Sequence, residues 1–264
     1  MDLEPLVPSD AEQALPLAPP RPFTAGRALI ILVTFLIVQT AAAFVLAVVI
    51  ATYYAVQISD RQLLAAKVQA VAFLPATIVG SLVGLLVAFR MTRSSFPGSI
   101  ASGALKPIGW VAVSPRVLAA SALLGSLIAV GVQFILIRAF PPSPDQSFGP
   151  LVHAAATPGL SRLGWALLAL AFAPPIEEFL FRGILLHGFA KTWGLTTAVL
   201  LSSVIFAAFH LPETRSYWPA LSGILLLAGV AAAVRLSTKA LGPAIALHAG
   251  YNLVLVVLVY ARAA

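Results

Sequence analysis

Three apolar stretches of this chain carry polar side chains at helical spacing. The first, FAPPIEEFLFRGILLHGF at 172–189, places Glu177, Glu178 and Arg182 in an otherwise apolar run. The second ends in FAAFHLPE, with Phe206 and His210 four apart. The third contains ALHAGYN, with His248 and Asn252 four apart. An ionised side chain at the centre of a bilayer costs about 2.5–3.5 kcal/mol on insertion scales, so such residues are functional by default. Glu178 and Arg182 share a helix face and can neutralise each other as an i,i+4 pair. Glu177 is turned about 100° away from Glu178 and is the carboxylate left for chemistry.

These residue types suit amide hydrolysis. Glu177 is a candidate general base on a water in surroundings that favour proton uptake. His210 can share or shuttle that proton. His248 and Asn252, one turn apart, can aim an imidazole N–H and an amide N–H at a developing oxyanion. A zinc chemistry uses nearly the same atoms, with Glu177, His210 and His248 as three ligands and a water in the fourth position. No H-E-x-x-H is present and each ligand would come from a different helix, so the metal-free mechanism is favoured, with no cofactor, and zinc stays open as the alternative. The bland alternative is a buried ion pair that locks helices together, with histidines that only pack. Two histidines beside an unpaired glutamate argue against it. His153 and His187 have no such company and read as structural. Glu213 and Arg215 read as an interfacial pair, with Glu213 a lesser candidate for orienting His210. Gln39, Gln57, Gln69 and Gln133 read as interhelical hydrogen-bonders.

The elements that must position these groups are membrane helices. Of 264 residues, 60% are hydrophobic and 9% charged, against roughly 25% charge in a soluble domain. With no cysteine, thiolate metal sites, disulfides and a cysteine nucleophile are excluded. The net charge of +7 comes from sixteen Lys and Arg scattered between apolar runs, which reads as topology signal and not as nucleic-acid binding. The expected fold is all-α: a polytopic bundle of about seven transmembrane helices, with room for an eighth. The spans fall near 28–56, 68–89, 117–137, 163–190, 195–211, 217–234 and 241–260, and Pro75 is expected to kink the second. Residues 1–20, rich in acid and proline, read as a disordered tail without a signal peptide. Residues 21–264 read as one membrane domain, in which a proline-rich stretch at 141–150 separates N-terminal helices (28–140) from a four-helix core (160–260). Bases counted on alternating sides favour a cytoplasmic amino terminus. Glycines at 183, 188 and 250 are expected where helices approach closely.

The sequences EEFLFR (177–182), FAAFH (206–210) and HAGYN (248–252) match E-E-x-x-x-R, F-x-x-x-H and H-x-x-x-N in order. The chain thereby resembles the CPBP family of intramembrane proteases (CaaX proteases and bacteriocin-processing enzymes, or Abi) over roughly residues 160–260. That resemblance implies a membrane endopeptidase in which Glu177 activates water, His210 assists, and His248 with Asn252 forms the oxyanion hole. Glu178, Arg182 and Phe206 fall on supporting positions. It also implies a membrane-embedded or lipid-anchored peptide or protein as substrate and the lipid bilayer as partner. The family has been described both as metallo- and as glutamate-dependent. The alanine-rich, cysteine-free composition suggests a bacterial cytoplasmic membrane, where a prenylated CaaX substrate is not the first expectation. The rival readings are a proton-coupled carrier and a silent membrane scaffold or immunity protein. Three spans before the prolines and four after them lack the paired halves of a carrier, and intact motifs are unnecessary in a scaffold.

Overall fold

A computed structural model describes residues 23–96, 98, 100, 103–141, 160–215 and 217–262. The expected tail at 1–20, most of the 141–150 stretch and His153 lie outside the described residues. Every regular element among the described residues is helical, and the chain is an integral, multi-pass membrane protein. Six helices are long and apolar enough to cross a membrane, and a seventh apolar helix is shorter.

Helices α1 (Ala25–Ala55) and α2 (Arg61–Arg93) form an antiparallel hairpin. Asp60 accepts from the backbone N–H groups of Gln62 and Leu63 and caps α2. α2 runs unbroken through Pro75. It buries Ala72, Ala76, Gly80, Gly84 and Ala88, a small-residue stripe at spacing four. A Cβ on Gly80 would stand 2.5 Å from the Gln39 carbonyl oxygen on α1, so the two backbones nearly touch. Gln57 and Gln69 are exposed and do not bridge helices, contrary to the sequence reading: both sit near the hairpin turn, where the helix ends leave the packed stripe.

α3 (Pro115–Ala139) packs on α7 (Leu241–Arg262). Here too backbone meets backbone. A Cβ on Gly250 would collide with the Ala122 carbonyl, and one on Gly125 with the Leu247 carbonyl, while Ser126 Oγ donates to the Gly250 carbonyl at 2.9 Å. Gly188 meets α1 in the same way, with a Cβ falling 2.6 Å from Ala28 Cβ. Gly183 is looser, in ordinary contact with Leu241 and the Ile108 carbonyl.

α4 (160–193) is broken by two wide π-helical turns, Leu168–Phe172 and Phe179–Leu185. Prolines explain the first. Ala173 N–H reaches back five residues to the Leu168 carbonyl, and the next residue, Pro174, has no N–H for the Ala169 carbonyl. α5 (Leu195–Phe209) has 15 residues, about 22 Å at 1.5 Å per residue, and stops short of a roughly 30 Å hydrocarbon core. A one-turn helix, Leu211–Thr214, follows it, then α6 (Ala220–Thr238) returns.

Candidate active site

Glu178 and Arg182 come together as the spacing requires. Arg182 Nη1 donates to Glu178 Oε1 at 3.1 Å, with both side chains essentially inaccessible. The guanidinium also donates through Nη2 to the Ala228 carbonyl on α6 at 3.0 Å and lies 4.3 Å from the Phe206 ring centroid. A buried ion pair is better tolerated when further contacts support its members, and these two contacts support Arg182.

The same Glu178 oxygen accepts a third group. His248 Nδ1 lies 2.9 Å from Glu178 Oε1. Because Arg182 already donates there, the carboxylate is an acceptor and His248 Nδ1 carries the hydrogen. His210 is fixed likewise, with Nδ1 2.9 Å from the Phe206 carbonyl, which can only accept. The Phe206 carbonyl, and not Glu213, therefore orients His210. Glu213 sits one turn on, where its backbone N–H donates to the His210 carbonyl at 3.2 Å.

Both Nδ1 hydrogens being committed, both Nε2 atoms face Glu177. Glu177 Oε2 is 3.9 Å from His210 Nε2 and 3.8 Å from His248 Nε2, and it is buried with no hydrogen-bond partner. Three acceptors, one from each motif, thus converge on one volume. The motifs lie at different points along their helices, and the stagger of α4, α5 and α7 brings them level. His248 is nearly inaccessible, whereas His210 and Glu177 keep 24% and 27% side-chain exposure, enough for water to reach them.

Phe206 does more than its motif position suggests. Its ring lies 4.7 Å from that of His210 and 5.7 Å from that of His248, besides covering Arg182 and meeting Phe181 edge-on. It is the apolar plate on which both imidazoles and the guanidinium rest. Asn252 Nδ2 donates to the Ala169 carbonyl at 2.9 Å, the carbonyl that Pro174 leaves without a donor. The amide keeps a second hydrogen. Sequence reasoning missed this contact; the signal was the Pro174–Pro175 pair one turn away. His187 stands beside the Phe23 and Phe96 rings, a structural place as expected.

No significant match to a curated protein or to a solved structure was found. Residues 159–254, which hold all three motifs and every converging side chain, match the family model described as type II CAAX prenyl endopeptidase Rce1-like, and in this segment the chain is similar to that family of membrane proteases.

Proposed function

We propose that this protein is an intramembrane endopeptidase that hydrolyses a peptide bond of a membrane-embedded or lipid-anchored peptide with a glutamate-activated water. The observation that carries the reading is the convergence of Glu177 Oε2, His210 Nε2 and His248 Nε2, all acceptors, at 3.8 and 3.9 Å. Such a set holds a water by its hydrogens and leaves the oxygen lone pair for the substrate carbonyl. In the proposed reaction Glu177 takes one proton as the water oxygen bonds to the carbonyl carbon. His210 Nε2 accepts from the other water hydrogen. The carbonyl oxygen becomes an oxyanion, met by the second amide hydrogen of Asn252. In this reading His248 completes the oxyanion hole once its Nε2 has taken up a proton, with its ring held in place by the contact of Nδ1 with Glu178. The proton on Glu177 then passes to the leaving nitrogen as the C–N bond breaks.

Zinc is the second reading, with Glu177, His210 and His248 as ligands. Ligand atoms about 2.0–2.1 Å from a tetrahedral ion stand about 3.3–3.4 Å apart, closer than the separations here. Among the described residues no group of three His, Cys, Asp or Glu has metal-site spacing. The geometry therefore supports the metal-free reading better. In this reading the amino terminus and the basic 90–116 loop face the cytoplasm of a bacterial cell, as the excess of Lys and Arg on that side favours.

The test compares wild type with Glu177→Gln on quenched fluorescent peptides that include a farnesylated CAAX peptide and unprenylated membrane peptides. Cleavage by wild type, reduced about 10²–10⁴-fold in the variant with unchanged thermal stability, is expected. Equal cleavage by both would overturn the assignment. Wild-type activity that survives a strong zinc chelator favours the glutamate mechanism; activity lost to the chelator and restored by zinc favours the metal.

A further inference from the structure

The α1-start face of the bundle carries a buried cation with no counter-charge among the described residues. Arg235, in the last turn of α6, is 8% exposed, and its Nε is buried without a hydrogen-bond partner. Its Nη2 donates to the Pro107 carbonyl at 3.1 Å, in the strap between α2 and α3. Gly109, at φ 90°, lies flat against the guanidinium: a Cβ there would strike it. The described acids are Asp60, Glu177, Glu178 and Glu213, and none is on this face. Lys and Arg are abundant there, including Arg27, Arg93, Lys106, Lys191 and Lys239. A buried charge left without a partner is costly, so the counter-charge comes from outside the described chain.

The depth of the cluster says what that is. Lys191 is exposed in the last turn of α4, and both Lys191 and Arg235 are near enough to His187 to act on it electrostatically. Trp193, two residues beyond Lys191, is 48% exposed, and Trp110, beside Gly109, is 50% exposed. Tryptophans so placed mark the headgroup layer. The anion abundant at that depth is the phosphate of an acidic lipid.

We propose that Arg235 and Lys191 form a site for the phosphate of an anionic phospholipid headgroup. The bound phosphate supplies the missing counter-charge and clamps the strap, whose Gly109 carbonyl accepts from Leu241 N–H at the start of α7 at 2.8 Å. The site thereby steadies the helix that carries His248, about 10 Å along α7.

The experiment uses the full chain in neutral detergent with phosphatidylglycerol or phosphatidylcholine of identical acyl chains, reading bound lipid by native mass spectrometry and stability by thermal unfolding. Two cations near an anionic surface predict roughly a 30-fold preference for phosphatidylglycerol and a higher Tm with it. Lys191→Gln, an exposed change that leaves the packing intact, is expected to lose most of the preference, and Arg235→Gln all of it. Equal binding of the two lipids, or a preference unchanged in Lys191→Gln, would overturn the proposal. Inorganic phosphate that stabilises as well as phosphatidylglycerol would overturn the lipid assignment in favour of a free anion. A preference seen only after removal of residues 1–20 would overturn it in favour of the acids Asp2, Glu4, Asp10 and Glu12 as the counter-charge.

Discussion

The α1–α2 hairpin and the α4–α7 core are built in one solvent by opposite means. In the hairpin, small residues at spacing four let two backbones touch, Ile30, Ile37 and Phe44 face outward, and the acid Asp60 does no more than cap a helix in the turn. The core places Glu178, Arg182 and His248 out of reach of water and joins them at one Glu178 oxygen, Oε1, while Oε2 is buried without a partner. The hairpin needs only shape, because lipid competes with no polar group there. The core needs each partner in place, because a single loss strands a charge in low dielectric.

Breaking a charge should separate the two regions most. Glu178→Ala strands Arg182 and frees His248 Nδ1, and is expected to cost about 3–5 kcal/mol, against about 1 kcal/mol for Asp60→Ala; similar losses in denaturant unfolding would erase the distinction. Shape should matter in both regions. Gly80→Val and Gly250→Val each force backbone apart and are expected to destabilise by about 1–3 kcal/mol. Only the Gly250 change should also lower cleavage, since α7 carries His248 and Asn252, and a kcat ratio near one would show that the crossing is not coupled to the site.

Phe206→Leu keeps an apolar plate but removes the ring face under Arg182 and beside both imidazoles. A loss of about 1–2 kcal/mol is expected, with a larger proportional loss of kcat than the Phe181→Leu control shows. The smallest effect is expected at the rim. Although Glu213 is exposed at the surface, desolvation by the surrounding protein raises its carboxyl above the usual value; His210 lowers it and Glu177 raises it further. A raised carboxyl means that the folded state holds more protons than the unfolded one. This contribution to stability is therefore present below about pH 4.5 and is lost as pH rises through the folded value. Glu213→Gln should flatten that part of the Tm–pH curve, and an unchanged slope would refute the assignment.

Much of the core was legible because intramembrane polar residues are few and helical spacing is rigid. Glu178 with Arg182, the separation of Glu177 from that pair, and the assignment of His187 to a structural place follow from position alone. α5 was read two residues too long, since hydropathy continues through Leu211 while the helix stops before His210. The orientation of His210 was assigned to Glu213 as a candidate, although a backbone carbonyl one turn back holds it. Backbone acceptors have no letter in a sequence, so neither this contact nor that of Asn252 with Ala169 could be read.

The sequence by itself determined an all-helical membrane chain, the approximate spans, and which three of them carry chemistry, because those features depend on composition and on separations within one helix. Only the tertiary structure decided that three acceptors meet at Glu177, which ring nitrogen of each histidine is committed, and that Arg235 lies buried without an acid among the described residues. Those outcomes depend on helix stagger, π-helical turns and contacts between residues as far apart as Glu178 and His248, which no local pattern encodes.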